Sequence, residues 1–303
     1  MIDGNRFDID FIPFCNNLFN LFRYPPPNKC PMLRTKPGAL APLCVNCQKS
    51  VTQEEITMHI SGDEPSLRTD LAAAYRLLDH YGWSDQVFTH ISVRLPSETP
   101  TFLINAYGLM PEEVTASNLV KIDTEGNKID NTNIEVNPAG FTIHSAIHAA
   151  RHDAVCVMHT HTMAGMAVAA LEEGLQPLNQ TSMAFHNRLA YYNYEGIPLD
   201  LGVRERLVAA LGDHKCMILR NHGLLTVGRS VAEAFFYMYY LNKACEIQIE
   251  AMKTGRKLIV PSASDCEFTA QQFDNPRYHN QSVELVWSAL RRKLDRMNAD
   301  YRC

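Results

Sequence analysis

Three histidines at two points of the chain have the types and spacing needed to bind a metal. His159 and His161 close the apolar run 154–158, and His222 follows a second apolar run, 216–219. Side chains two residues apart on a strand lie on one face, with Cα atoms about 6.5–7 Å apart. That spacing lets two imidazoles converge on one cation, and histidine is the commonest metal ligand in proteins. The sequence therefore indicates a metal site where two buried strands end.

The residue types alone leave a second interpretation open. The chain contains 12 histidines, so a His-X-His pair can arise by chance without binding a metal. His222 on its own could equally be a loop histidine held by hydrogen bonds. Gly223 beside it allows a sharp turn or a close approach of the backbone to a ligand. The spacing suits a metal site, but by itself it does not favour one over structural histidines.

The elements that must position these histidines alternate between helices and short strands. Ser66 is predicted to cap an amphipathic helix that follows it. Alternation predicts strands over 91–95 and 102–105, and continuous apolar runs predict buried strands over 154–161 and 216–220. The remaining predicted elements are a strand over 119–123 and helices over 137–151, 164–171, 231–254 and 282–297. This order is typical of a layered α/β domain.

The composition narrows the classes of protein to consider. Hydrophobic residues make up 46% of the 303 residues and charged residues 20%, which suits a globular protein with a sizeable core. A net charge of -5 argues against nucleic acid as the main partner. The chain has no apolar run of about 18 residues that would span a membrane. Its odd number of cysteines, nine, favours a reducing compartment. Asp3, Asp8 and Asp10 lie where a secretion signal would be basic. Both observations predict a cytoplasmic protein.

The chain is predicted to divide into three segments. Residues 1–60 form a proline-rich extension that we expect to be mobile, because its prolines break regular elements. Residues 61–270 form the α/β domain. Residues 271–303 form a helical tail that ends in a basic amphipathic helix.

Five segments carry further motifs in a fixed order along the chain. They are VRL (93–95), YGLMPEEVTASNLVKID (107–123), NPAGFTIHSAIHAAR (137–151), HTH (159–161) and NHGLLTVG (221–228). With them, residues 66–270 or so resemble the class II aldolase/adducin family. The resemblance implies a three-layer α/β/α fold with a central, mainly antiparallel sheet. It also implies a homo-oligomer, commonly a tetramer, that takes a small-molecule substrate near its subunit boundaries.

The resemblance also implies which residues bind the metal. In the aldolase branch of the family, the His-X-His strand and the later His-Gly turn supply three zinc ligands. These positions correspond to His159, His161 and His222. Three neutral histidines also suit Fe(II), and ligand preference does not separate the two metals. We therefore expect a divalent metal, with zinc as the first choice and Fe(II) as the alternative.

Two departures from the sugar-phosphate aldolases concern the chemistry. Those enzymes carry a Pro-Ser-Ser-Glu stretch whose glutamate is the catalytic acid and base, whereas Gly140 stands at that position here and cannot move a proton. The glycine-asparagine pair that helps to bind phosphate is replaced by Thr89-His90. Pro138 lacks an N–H and Ala139 lacks a hydroxyl, so two further donors to a phosphate are missing. We expect a non-phosphorylated substrate that carries a carboxylate.

The stretch 137–151 resembles the adducin-like branch of the family more closely. Animal adducins bind spectrin and actin, largely through a neck and a basic tail, and their head domains do not keep all three ligands. Because all three histidines are present here, we interpret the chain as an adducin-like sequence that has kept a metal centre. An actin- or spectrin-type partner is expected only if the chain is a non-enzymatic interaction module.

Without the glutamate, another group must move the proton. We predict that His90, His144 and Tyr107 are catalytic, since histidine and tyrosine can both exchange a proton with a substrate. His148 shares a helical face with His144, from which it is four residues away. That face either points at the site or packs against the sheet.

Two arginines are candidates for binding the substrate. Arg94 and Arg220 flank the predicted site in sequence, and a guanidinium can hold a carboxylate through two parallel hydrogen bonds. Ion pairing at the protein surface is the alternative for both.

Three functions follow from these observations. The first is a metal-dependent lyase, of aldolase or decarboxylase type, that acts on a small carbonyl or carboxylate substrate. The second is a non-haem iron oxygenase that uses the three-histidine site. The third is a non-enzymatic, adducin-like module that binds the cytoskeleton.

Overall fold

The computed structural model describes residues 62–97, 99–129, 134–197 and 202–303. The predicted extension at 1–60 lies outside the described residues. The helices are α1 (Glu64–His80), α2 (Pro138–Ala150), α3 (Met163–Ala169), α4 (Gln180–Met183), α5 (Val203–Leu211), α6 (Val231–Lys253), α7 (Ala263–Phe273) and α8 (Pro276–Met297). The strands are β1 (His90–Arg94), β2 (Thr101–Ile104), β3 (Val120–Asp123), β4 (Cys156–Thr160), β5 (Leu189–Tyr192), β6 (Cys216–Leu219) and β7 (Gly223–Gly228).

The strands of the described residues form a seven-stranded sheet in the order β3-β2-β1-β4-β7-β6-β5. Neighbouring strands are antiparallel throughout, except that β5 and β6 are parallel. Strand β4 lies in the middle, and its His159 is opposite His90 on one side and Leu225 on the other. The predicted central, mainly antiparallel sheet is confirmed.

Helices cover both faces of this sheet. Helices α2 and α5 pack on one face, where Ile143 contacts the cluster that contains Val157. Helices α1, α6 and α8 pack on the other face, where Phe235 of α6 and Met158 of β4 belong to the same hydrophobic cluster. Successive strand residues point to opposite faces, so Val157 and His159 face α2 while Met158 faces α6. The predicted three-layer α/β/α fold is therefore confirmed.

Helix α1 begins earlier than the sequence pattern predicts. Its N-cap is Asp63, whose carboxylate accepts a hydrogen bond from the Ser66 backbone N–H at 3.1 Å. The prediction that Ser66 caps the helix is therefore wrong. Pro65 lies within the first turn, where its missing N–H costs no helical hydrogen bond, so the helix extends back past Ser66.

The turn between β6 and β7 reverses the chain over three residues. Leu219 pairs with Gly223, and Asn221 between them has φ +55°, a conformation that asparagine tolerates better than most residues. The sequence pattern predicts the end of β6 at this turn but does not predict β7, which is flanked by glycines. It also does not predict β5, α5 or α7.

The C-terminal helix α8 contributes to the main core. Trp287 and Leu294 of α8 lie in the same buried cluster as Leu71 of α1 and Phe235 of α6. The Trp287 indole N–H also donates to Asp70 of α1 at 3.3 Å. The division of the chain at residues 60 and 270 stays a prediction.

Among the described residues, none of the helices is both long enough and apolar enough to cross a membrane.

We expect Trp287→Ala to lower the free energy of unfolding by about 3–5 kcal/mol, because it leaves a cavity between α1, α6 and α8. Leu285→Ala is the matched control on the same helix, since Leu285 is 63% exposed, and it should change that free energy by less than about 0.5 kcal/mol. Urea unfolding followed by circular dichroism measures both. Equal effects of the two substitutions would show that α8 does not pack on the core as described.

Candidate metal centre

The sheet brings together the three histidines that were predicted at two strand ends. His159 is in β4, His161 follows that strand, and His222 is in the turn that leads into the neighbouring β7. Their Nε2 atoms lie 2.8 Å apart for His159 and His161, 3.2 Å for His159 and His222, and 3.0 Å for His161 and His222. We call these residues the histidine cluster. In the described part of the chain, no carboxylate or thiol joins them.

Hydrogen bonds at the far side of two rings determine which nitrogen faces the centre. His159 Nδ1 lies 2.9 Å from the Leu224 carbonyl oxygen, and His161 Nδ1 lies 2.8 Å from an oxygen of Asp85. Both acceptors require an N–H, so each Nδ1 carries the proton and each Nε2 of a neutral ring has a lone pair. Two lone pairs cannot hydrogen-bond to each other. A cation between them satisfies both.

Burial keeps the rings of His159 and His222 neutral. It lowers the pKa of His159 well below the ordinary value, and the neighbouring imidazoles lower it further. The pKa of His222 is lowered to about 4, mainly by burial and to a smaller extent by the neighbouring His161. At neutral pH His159 and His222 thus present uncharged nitrogens, which is the form that a metal requires.

The geometry fits a small divalent ion. Nitrogens about 2.0–2.1 Å from a tetrahedral zinc lie about 3.3–3.4 Å apart, a few tenths of an ångström more than the distances in the cluster. His159 is buried, whereas His161 and His222 are half-buried. The cluster therefore has an accessible side, on which a substrate oxygen could become a further ligand.

Asp85 supports the cluster from a loop that is distant in sequence. Its backbone N–H donates to Thr89 Oγ1 at 3.0 Å, and its carbonyl accepts from the Phe88 N–H at 2.9 Å. These bonds hold the carboxylate against His161. A carboxylate behind a ligand histidine orients the ring and raises its basicity. Asp85 could not be predicted from the sequence, because an aspartate 76 residues from its partner carries no local signal.

Gly223 is required by close backbone packing beside the cluster. A Cβ atom at this position would overlap the Thr160 carbonyl oxygen and would lie 3.2 Å from His161 Cδ2. Any side chain would push β4 and β7 apart where both carry histidines. The close approach at this residue is to the backbone of β4, and the predicted approach to a ligand stays a prediction.

His90 lies in the space that a side chain at position 140 would need. A Cβ atom on Gly140 would lie 2.8 Å from His90 Cδ2 and 3.1 Å from His90 Nε2. The His90 ring is also 5.1 Å from the His159 ring, centroid to centroid. An imidazole thus lies beside the cluster where the resemblance implies a glutamate in the sugar-phosphate aldolases.

A chain of hydrogen bonds leads away from His90 between the sheet and α2. His90 Nδ1 is 2.9 Å from His144 Nε2, and His144 Nδ1 is 2.7 Å from Ser92 Oγ. Ser92 Oγ is also 2.7 Å from His148 Nε2. His148 Nδ1 is 2.8 Å from the Ala154 carbonyl oxygen. Both helical histidines therefore point at the sheet and are buried, and His144 reaches the cluster only through His90.

The structure does not bring Arg94 to the cluster. Arg94 lies four residues along β1 from His90, a distance of about 13 Å. It is 3% exposed, donates to the His148 carbonyl oxygen and lies over the Phe102 ring at 5.3 Å. Burial lowers the pKa of Arg94 to about 10. This placement argues against the predicted role in binding a substrate carboxylate.

The remaining predicted residues lie at the same end of the sheet without contacting the cluster. The Arg220 guanidinium donates to the carbonyls of Leu171 and Glu172, and it lies 4.4 Å from the Tyr191 ring. Tyr107 is 40% exposed, and its ring centroid lies 6.4 Å from that of Phe88.

Tyr194 is a second residue that sequence analysis missed. Its ring is 6.5 Å from that of His222, and it is 54% exposed. Tyr194, His222 and Arg220 line one small cavity. A cavity of about 950 Å³, lined by residues of α6 and α8 such as Phe236 and Tyr278, contains none of the histidine cluster. Tyr194 carries a more direct contact to the cluster than the predicted Tyr107.

Acid should destabilise the metal-free protein. The pKa values of His90, His144, His148 and His159 lie well below 6.5, and that of His222 is about 4. The unfolded chain binds protons at these rings near pH 6.5, whereas the folded chain does not. The free energy of unfolding should therefore fall as the pH drops below about 6.5, by about 1.4 kcal/mol per pH unit for each ring.

Urea unfolding at about pH 7.5, 6.5 and 5.5 measures this slope. These pH values span the ordinary pKa of histidine. The control is His152→Asn, because His152 is exposed and should leave the slope unchanged. Unfolding that is independent of pH across this range would contradict buried neutral histidines.

Gly140→Ala should destabilise the protein by about 1–3 kcal/mol, because the new methyl group overlaps the His90 ring. In a His90→Ala background the same change should be neutral or stabilising by up to about 1 kcal/mol, since alanine favours a helix over glycine. A double-mutant cycle by urea unfolding measures the coupling. Additive effects would show that the two residues are not in contact.

Comparisons with known proteins agree with the fold and with the resemblance. A model of the "Class II Aldolase and Adducin N-terminal domain" matches residues 69–249. Alpha-adducin of Rattus norvegicus is 48% identical over 195 residues, which are 63% of this chain and 26% of that protein.

Two solved structures are similar over most of the chain. An aldolase II superfamily protein from Pseudomonas syringae has a TM-score of 0.76 and 48% identity, covering 80% of this chain and 98% of that one. L-fuculose 1-phosphate aldolase from Glaciozyma antarctica has a TM-score of 0.70 and 27% identity, covering 82% and 99%. With the matched domain model, these likenesses show that the chain belongs to the class II aldolase and adducin family.

Proposed function

We propose that this protein is a zinc-dependent lyase, of aldolase or decarboxylase type, that acts on a small carbonyl or carboxylate substrate. Membership of the family supports a metal-dependent aldolase-like lyase in general. The observation that carries the proposal is the convergence of the three Nε2 atoms within 3.2 Å of one another, with the Nδ1 atoms of His159 and His161 turned to hydrogen-bond acceptors on the far side. An interaction surface has no physical need for that arrangement, which is unfavourable without a cation.

His159, His161 and His222 would hold the metal, and Asp85 would orient His161. A bound divalent ion supplies a Lewis acid that polarises a substrate carbonyl or hydroxyl oxygen. The proton must be handled by the protein, and His90 is the titratable side chain that lies beside His159 and takes the space of the absent glutamate. His144 supports His90 and does not itself reach the substrate.

The residues around the cluster favour a substrate without phosphate. The Thr89 hydroxyl accepts from the Asp85 N–H, and the Ala139 N–H donates to Asn137 Oδ1 at 3.1 Å. The Ala139 donor at the position of the family's phosphate pocket is therefore already engaged, and the Thr89 oxygen is held by the loop of Asp85. Because Arg94 is buried and Arg220 is bound to carbonyls, we propose that a substrate carboxylate binds the metal itself and not a guanidinium. A homo-oligomer and a cytoplasmic location remain predictions.

Metal content is the first test. Protein purified without added metal should contain about one zinc ion per chain by elemental analysis, as a single three-histidine site requires. Asp85→Asn should weaken zinc binding about 10- to 100-fold, because it removes the carboxylate behind a ligand. Asp79→Asn is the matched control, since Asp79 is exposed on α1 and should leave affinity unchanged. Iron in place of zinc would favour the oxygenase, and protein that binds neither metal would favour the adducin-like module.

Substrate class is tested by thermal shift on the zinc-loaded protein. Small hydroxy and oxo acids should raise the melting temperature, because a ligand that binds only the folded state stabilises it. L-fuculose 1-phosphate serves as the phosphorylated comparison. Stabilisation by the sugar phosphate alone would contradict the proposed substrate class.

A further inference from the structure

We propose that His148, Ser92 and His144 form a one-directional hydrogen-bond chain that fixes His90 with a bare Nε2, which accepts a hydrogen bond from a substrate hydroxyl. The first part concerns this chain's own residues and needs no metal. The second part rests on the proposed function and adds to it that the substrate is a hydroxy acid.

The direction of the chain is set at its buried end. The Ala154 carbonyl oxygen can only accept, so His148 Nδ1, at 2.8 Å, must carry the proton. His148 is 1% exposed, and its ring stacks on Phe102 at 4.4 Å, which in turn lies against the Arg94 guanidinium. Burial and the positive charge of Arg94 lower the pKa of His148 well below its ordinary value. The ring is neutral, and its Nε2 is an acceptor.

Each later step follows from the one before. Ser92 Oγ has one proton, and it donates that proton to His148 Nε2 at 2.7 Å. The oxygen must then accept from His144, so His144 Nδ1 carries a proton and its Nε2 is bare. That nitrogen accepts from His90 Nδ1 at 2.9 Å. His90 therefore carries its proton on Nδ1 and has a lone pair on Nε2.

The bare Nε2 of His90 is placed for a ligand. Within the described residues, no hydrogen bond reaches this atom, although the His90 ring is only 4% exposed. Gly140 presents only its backbone beside this atom, and a Cβ atom there would crowd the ring at 3.1 Å from Nε2. The neighbouring ring is that of His159 in the cluster, 5.1 Å away. A substrate held at the cluster would meet an acceptor at this point.

An acceptor selects between two related classes of substrate. A hydroxyl group can donate to His90 Nε2, whereas a keto oxygen has no proton and would place its lone pairs against that of the nitrogen. Binding energy from this contact therefore separates a 2-hydroxy acid from the corresponding 2-oxo acid. The three residues behind His90 act as positioning residues, because they touch the substrate only through it.

Nuclear magnetic resonance of the metal-free protein, labelled with ¹⁵N in histidine, tests the chain directly. Long-range ¹⁵N–¹H correlations distinguish a protonated Nδ1 from a protonated Nε2. His90, His144 and His148 should all carry the proton on Nδ1 at neutral pH. A proton on Nε2 of His90 would overturn the proposal.

Ser92→Ala tests the direction. His148 should keep its proton on Nδ1, because the Ala154 carbonyl still holds it, while His144 and His90 should become mixtures of both forms. Ser145→Ala is the matched control, since Ser145 is also buried on this face but donates to the Phe141 carbonyl and not to the chain. The control should leave all three rings unchanged. An unchanged His90 in Ser92→Ala, in protein that the spectra show to be folded, would also overturn the proposal.

The selectivity is tested on the zinc-loaded protein with lactate and pyruvate as probes. Lactate should bind up to about tenfold more tightly than pyruvate, the effect of one hydrogen bond. Ser92→Ala should remove most of this preference, and Ser145→Ala should keep it. A preference for pyruvate would contradict the acceptor role. Because the resonance experiment needs neither metal nor substrate, absence of zinc binding would contradict the proposed function alone.

Discussion

Four histidines of the described residues, His90, His144, His148 and His159, are buried as neutral rings, and a neutral imidazole presents one donor and one acceptor nitrogen. Most buried polar atoms have a partner of the opposite kind, so each ring constrains the next. His159 donates to a backbone carbonyl and thereby turns a lone pair toward the cluster. His148 donates to another carbonyl and begins a chain of bonds that ends at His90. Two backbone oxygens, of Leu224 and Ala154, thus determine the chemical character of both sides of the site.

The sheet explains why these two sets of rings meet. Strand β4 lies between β1 and β7, so the residue opposite His159 on one side is His90, and the turn that carries His222 adjoins β7 on the other. The antiparallel register brings residues separated by more than 60 positions into contact. The same register puts Ser92 under α2, where it can join two histidines of that helix. A fold with a parallel arrangement of these strands would separate them.

Much of this fold could be predicted from the sequence, because the relevant signals are local. Two-residue periodicity placed His159 and His161 on one face, and the apolar run before His222 indicated a second strand end. The contacts of Asp85 and Ser92 could not be predicted, since each depends on partners more than 50 residues away. Arg94 shows how little a flanking position in sequence says about distance. A strand separates residues by about 3.3 Å each, so the four residues between positions 90 and 94 place Arg94 about 13 Å along β1 from His90.

The contact between His90 and Gly140 constrains how this sequence can have diverged from the sugar-phosphate aldolases that it resembles. Those enzymes pair a glutamate at the position of Gly140 with an asparagine at the position of His90. A glutamate introduced here would collide with the imidazole, since even a Cβ atom lies 2.8 Å from it. Asparagine at position 90 opposite glycine would leave a void, which costs about 24 cal/mol per Å³. Either single change therefore disturbs the packing, by overlap in one case and by a void in the other, so the residues at positions 90 and 140 must change together if the site is to stay well packed.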